Sequence, residues 1–469
     1  MAIHRAFSFV FLLAMLLGFM ILPACESPSE YKPAISQMPL SNQRILNQAV
    51  MGSTSAGSSL YGLIDDGMGA LYFMGLLDGE YVIGRIQRNG QTLWVKNTGR
   101  SARHICRVPQ NPVGLANTLL TLRDSDSDDD GKVDKALVLL MDSNGEEIDT
   151  LTVEEAGQRV WLNAIVPVDS LNFLAVGGST ALDNVYHPFV ATITIEPDGT
   201  IIGRSQRLYG GFPNQLFGYV IVDPSTVTPT GYTGYIRSNV YDQNNDVHNI
   251  VVHAFHVSKI TGPDAAPLWS VDLKQQSNLP LSRGNLILSG TTLYTAGLAQ
   301  VMKDSKKWNA GYVASISTGG TLNRFTVVSI TNQGDDFSDL RLEGGRLYLS
   351  GICLHYIVTD TKREYGRALI SVFDPGAWKA LYHLGFGGKE YASGFNSIVM
   401  IGTRAYCGGW TKKSLSDGDF QAWFAEIDLD ALTSEGLTEL PAPLSAEPPS
   451  REMPYGSPAA DWDDDRDER

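Results

Sequence analysis

The residues with the clearest capacity for chemistry lie in one acidic run, Asp124-Ser-Asp126-Ser-Asp128-Asp-Asp130-Gly131-Lys132-Val-Asp134. Read from Asp126, hard oxygen donors fall at alternate positions, Asp126, Asp128 and Asp130, and a glycine follows for the sharp bend. The Lys132 carbonyl and Asp134 complete a set suited to one Ca2+ ion. Position twelve of such a loop falls on Leu137 and not on a bidentate glutamate, so the run is not an EF-hand. The expectation is a structural Ca2+ that stiffens the loop, filled at roughly 10⁻⁴–10⁻³ M. The alternative is a solvated acidic loop whose aspartates, from 124 to 130, repel one another. A sparser echo, Asp242-Gln-Asn244-Asn-Asp246, lacks the glycine and reads as a turn.

The other reactive side chains form no recognisable machinery. His248, His253 and His256 cluster around one strand, but residues 253 and 256 face opposite sides of it and cannot share a metal. No His-Glu-x-x-His, Gly-x-Ser-x-Gly or glycine-rich phosphate loop is present, so no catalytic residue is assigned. Cys106, Cys353 and Cys407 sit in or beside apolar strands and read as buried thiols, with a Cys353–Cys407 disulfide as the alternative. Trp94, Trp269 and Trp423 lie within strands and read as core, whereas Trp308 and Trp410 border loops and are candidates for a surface site. A net charge of −15 and a pI near 5.0 leave no basic field for a phosphate backbone, which argues against nucleic acid as a partner.

The elements that must position these residues recur. Leu71-Tyr-Phe-Met-Gly75, Leu293-Tyr-Thr-Ala-Gly297, Leu347-Tyr-Leu-Ser-Gly351 and Ala405-Tyr-Cys-Gly408 each read as a short strand ending in glycine. Glycine-bearing turns at 90, 145, 199, 262, 319 and 376 follow the next strand in each unit, at spacings of 54 to 63 residues. Third strands are expected at 81–86, 136–141, 189–195, 250–257, 311–317, 368–373 and 421–427. Their count gives an all-β chain, a seven-bladed β-propeller of four-stranded antiparallel blades over 44–440. Gly436 to Leu440 reads as only a weak last strand, so the segment Arg44 to Met51 is expected to complete the last blade and latch the ring.

The termini read differently. Residues 1–25 are an apolar leader behind a short basic start, 26–43 a polar, proline-bearing tether, and 441–469 a proline-rich, acidic, disordered tail. Leu22-Pro23-Ala24-Cys25 resembles a bacterial lipoprotein signal, apart from Pro23, where such signals carry a small or β-branched residue. That resemblance implies diacylglycerol on Cys25 and membrane attachment; Glu26 after the cysteine points to the outer membrane or cell surface. An ordinary secretory signal or a transmembrane anchor is the alternative.

Within the ring, Gly387-Gly388-Lys-Glu-Tyr391 through Ser397-Ile398-Val399 to Tyr406-Cys407-Gly408 resembles bacterial propeller repeats of the form Gly-Gly-…-Asp-Tyr-…-Ile-…-Tyr-x-x-Gly, with Glu390 where the pattern has aspartate. Gly84 to Gly90 followed by Leu93-Trp94 is similar to quinoprotein-like repeats, whose docking tryptophan reappears at Trp269. The acidic run resembles aspartate-rich loops inserted into extracellular repeats. Such families include structural lipoproteins, adhesion modules and enzymes. The function expected is a binding or scaffold module of the cell envelope with a protein or carbohydrate partner. The competing class is a propeller enzyme, a quinoprotein-like oxidoreductase or a glycan hydrolase or lyase.

Overall fold

The computed structural model describes residues 45–429 except 54–56, 110–117, 126–133, 156–157, 181–184, 209–213, 242–246, 260–261, 265, 278, 304–305, 329, 331–334, 359–362, 387–391 and 413–419. Cys25, the tether, the tail, Asp126, Asp128, Asp130, Lys132 and the 242–246 echo therefore lie outside the described residues.

Seven antiparallel sheets make the fold, each with its strands in sequence order except the last. The first strands of the seven blades are Ser59–Asp65, Ala102–Arg107, Arg159–Pro167, Gln215–Val222, Leu281–Ser289, Asp336–Glu343 and Ser393–Ile401. All seven expected third strands are present at their expected positions. The seventh blade takes its outer strand from the other end of the chain: Ile45–Met51 pairs antiparallel with Gln421–Asp428. The latch is real, and it leaves the ring without an open seam in the last sheet.

Packing closes the ring. Seven apolar clusters each fill the gap between one pair of neighbouring blades. The joint between last and first blade packs Leu60, Leu63, Leu71 and Phe73 against Val399, Tyr406 and Phe424. Strands apolar on both faces are what sheets packed face to face require, and Leu71, Tyr72 and Phe73 are all fully buried.

The recurrent glycine now has a cause. Every first strand slips register once, and Gly75, Gly177, Gly351 and Gly409 lie across from the residue just before the slip. A Cβ on Gly75 would stand 2.3 Å from the Ser59 carbonyl oxygen, and one on Gly351 would stand 1.9 Å from that of Asp336. A side chain cannot fit where a bulged backbone presses this close. In the last blade the residue in this position is Gly409, one place beyond the glycine that the sequence pattern singled out.

Blade 4 departs from the repeat. Its outer strand is broken into Gly262–Pro263 and Trp269–Asp272, and a one-turn helix, Leu273–Ser277, follows. Pro263 and Pro267 remove ladder donors here, which accounts for the break. Asp272 caps the helix, accepting the Gln275 amide at 2.8 Å.

Candidate functional site

The bulges of the first strands re-aim one residue per blade. Just past each slip stand Gly62, His104, Ala164, Tyr219, Asn285, Asp339 and Ser397. The His104 and Tyr219 rings meet edge to face at 6.0 Å, and Arg341 hydrogen-bonds to Tyr219. These residues belong to blades 2, 4 and 6, which are not neighbours, so the contacts are made across the middle of the ring.

Asp339 is the hub of this central cluster. It is buried and accepts from Asn285, from Arg341 Nη1 at 2.7 Å, from Ser397 Oγ at 3.2 Å and from the Ile398 amide at 3.0 Å. Ser397 Oγ in turn accepts the Leu63 amide of blade 1 at 3.0 Å. On the other side, Arg103 reaches Asp124 at 2.7 Å and Asn163 at 3.3 Å, and Asn163 donates to the Phe217 carbonyl at 3.0 Å. Burial works against the Arg341 charge, but Asp339 and Tyr219 outweigh it and the pKa is raised. Burial, helped by the Arg341 charge, lowers His104 to about 4, so it is neutral at pH 7. A carboxylate whose acceptor sites are this fully used is a clasp between blades, not a poised general acid or base.

A second polar group lies at the boundary of blades 4 and 5, where the outer strand is broken. A cleft of 570 Å³ there is lined by Gln215, His253, Ser270, Asp272, Gln275 and Thr321, among others. His253 and Ser270 are cross-strand partners, with His253 Nδ1 2.7 Å from Ser270 Oγ. His253 Nε2 lies 2.9 Å from Ser238 Oγ, which itself reaches Gln215 Oε1 at 3.1 Å. The four side chains form one hydrogen-bonded row across the blade. Burial lowers His253 to about 4.

The sequence matches no family model and no curated protein. Solved structures do match the fold. A prolyl endopeptidase is 10% identical with a TM-score of 0.41, over 82% of this chain and 48% of that one, so this chain spans about half its length. The β-propeller domain of the Trilobed protease from Pyrococcus furiosus is 10% identical, with a TM-score of 0.41, over 80% and 95% of the two chains. Virginiamycin B lyase from Staphylococcus aureus is 8% identical, with a TM-score of 0.42, over 81% and 99%. The likeness is one of fold.

Other residues singled out in the sequence have fates of their own. Of the Ca2+ set only Asp134 is described; its amide donates to the Ser125 carbonyl at 2.9 Å and closes the base of the hairpin. Asp124, at the head of the run, is turned inward onto Arg103. Cys106, Cys353 and Cys407 are buried and free, so no disulfide joins the last two. His256 is exposed and pairs with Asp264, on the opposite side of the strand from buried His253.

Trp410 corrects an expectation. It is buried against Phe420, Ile352 and Ala392 and cannot serve as a surface contact. The side chain of Trp308 lies outside the described residues. Trp423 is core, stacked on Phe395. Trp94 and Trp269 are half-buried clasps: their indole N–H groups donate to carbonyls in the next blade, Ser143 at 3.0 Å and Thr318 at 2.9 Å. Among the described residues no cluster of three or more His, Cys, Asp or Glu is arranged for a metal.

Proposed function

We propose that this protein is a lipid-anchored, extracytoplasmic propeller that acts as a binding or scaffold module of the cell envelope, offering the surface of its ring to a protein or glycan partner. The observation that carries the reading is the saturated central cluster. Its charged and polar side chains bond to one another across blades, which suits a rigid presenting ring better than a catalytic funnel. The anchor rests on the sequence. An apolar leader ends at Cys25, and the chain joins the ring at Ile45, the start of the latch strand. A tether over 26–43 reaches ~60 Å when extended.

A Cys25→Ser variant should lose incorporated fatty acid and leave the membrane fraction. Retention of both would sink the anchor. Cross-linking on intact cells should return a reproducible partner. Turnover of a polysaccharide or an alcohol by purified protein would instead favour the competing enzyme class.

The acidic loop would hold Ca2+ through Asp126, Asp128, Asp130, the Lys132 carbonyl and Asp134. Two observations support this set. Arg103 takes up Asp124, so the ligands begin at Asp126, and the Asp134 amide ties the end of the run back to Ser125. At tenfold excess over its dissociation constant Ca2+ should add about 1.4 kcal/mol of stability, read as a rise in melting temperature. An Asp128→Ala variant should lose the rise. An equal rise in that variant would remove the assignment.

A further inference from the structure

The geometry assigns Ser270 as a nucleophilic serine, with His253 as its general base, in the cleft between blades 4 and 5. This goes beyond the scaffold reading and does not depend on it.

The argument starts from proton placement. Ser238 has one hydroxyl proton, and two of its neighbours, Gln215 Oε1 at 3.1 Å and the Val251 carbonyl at 3.3 Å, can only accept. With its proton placed toward these two acceptors, the 2.9 Å contact is a donation from His253 Nε2–H to Ser238 Oγ, and this is the tautomer the assignment adopts. A neutral imidazole carries one proton. Nδ1 is therefore the lone-pair nitrogen, and it faces Ser270 Oγ at 2.7 Å as an acceptor. A hydroxyl donating to a histidine whose other nitrogen is tied to a third group is the arrangement that activates a serine.

Access agrees with it. Ser270 is exposed and lines the cleft, while His253 is buried behind it. The base is thus screened from water while the hydroxyl meets a ligand. Gln215, Asp272, Gln275 and Thr321 make the lining polar. The substrate class that fits is a short acyl ester of a polar alcohol, not a long-chain lipid.

The step balances without a cofactor. Ser270 Oγ attacks the ester carbonyl carbon while its proton passes to His253 Nδ1. The tetrahedral adduct collapses, the C–O bond to the alcohol breaks, and the departing oxygen takes the proton from Nδ1. Water then attacks the acyl-Ser270 ester, giving a proton to Nδ1. Ser270 Oγ leaves as the acid forms and recovers that proton. Ester and water become acid and alcohol, and Nε2–H stays on Ser238 throughout.

A fluorophosphonate probe on the purified protein, located by peptide mass spectrometry, tests the assignment. Ser270 should react about 100-fold faster than other exposed serines, within the usual range for a positioned base. The label should vanish in Ser270→Ala, and p-nitrophenyl acetate turnover should fall with it. Labelling should be level from pH 5 to 8 and decline in stronger acid as Nδ1 takes a proton. Ser238→Ala removes the acceptor that holds the tautomer, so it should slow labelling at least tenfold; Ser238 is a positioning residue. His253→Gln should abolish the rate advantage, and if that variant does not fold, Ser238→Ala carries the test. Labelling of Ser270 no faster than that of other exposed serines, or unchanged in Ser238→Ala, overturns the proposal.

Discussion

Two serine–histidine pairs sit across the third and fourth strands of different blades, and the protein treats them in opposite ways. In blade 4, His253 and Ser270 face each other beside an open cleft. In blade 6, Ser371 and His383 face each other at 2.6 Å in the sealed core, both essentially without exposure. The outer strand explains the difference. Lys379–Phe386 runs the length of blade 6 and covers its pair, whereas the outer strand of blade 4 is broken at Pro263 and Pro267. The tautomers differ as well. His383 Nε2 is buried with no hydrogen-bond partner among the described residues. A bare lone pair is tolerated inside a protein more readily than a bare N–H. Nδ1–H of His383 therefore donates to Ser371, whereas Nδ1 of His253 accepts from Ser270. The same two residue types make a structural pin in one place and an activated hydroxyl in the other.

Acid is the strongest way to break this comparison. Burial lowers both His253 and His383 to about 4, from an ordinary value of 6.5. Between those values the unfolded chain binds more protons than the folded one, so stability present above pH 6.5 is lost as pH falls toward 4. The loss should reach about 3 kcal/mol for each histidine, read from denaturant midpoints across that window. His383→Gln should flatten the profile by its full share. His253→Gln should flatten it equally if cleft and core desolvate their rings alike. A smaller effect at His253 would show that water in the cleft reaches the imidazole.

What the sequence made legible follows the same divide. The seven-bladed ring could be read because one steric demand recurs: the glycine of Leu-Tyr-x-x-Gly exists to admit the first-strand bulge, so Gly75 and Gly351 mark it in the chain. The latch could be read because the last blade's own candidate outer strand, Gly436 to Leu440, is weak and runs straight into prolines. The Ser–His row could not. His253 and Ser270 meet only through the register re-established after the break near Pro263, and no local pattern announces that register. The spacing of His253 and His256 along one strand carries no sign of a serine on the next strand. The central cluster was equally hidden, since His104, Tyr219 and the Asp339–Arg341 pair come from three separate blades and each is unremarkable in its own strand. The one hint lay in the departure of blade 4 from the repeat.

Truncating one member of each pair sharpens the comparison at a smaller scale. Ser270→Ala removes an exposed hydroxyl and returns Nδ1 of His253 to the cleft, where water can replace the lost donor. Its cost to stability should stay below about 0.5 kcal/mol. Ser371→Ala strands Nδ1–H of His383 in a dry core that no water reaches, and its Nε2 already lacks a partner. That change should cost about 1–3 kcal/mol, the penalty for a buried polar group left unsatisfied. Both variants delete the same atom from the same kind of cross-strand pair, so their chemical-denaturation midpoints report the environment alone. Equal costs would mean that the cleft is as dry as the core, and Ser270 would then be a second structural pin with no access for a substrate.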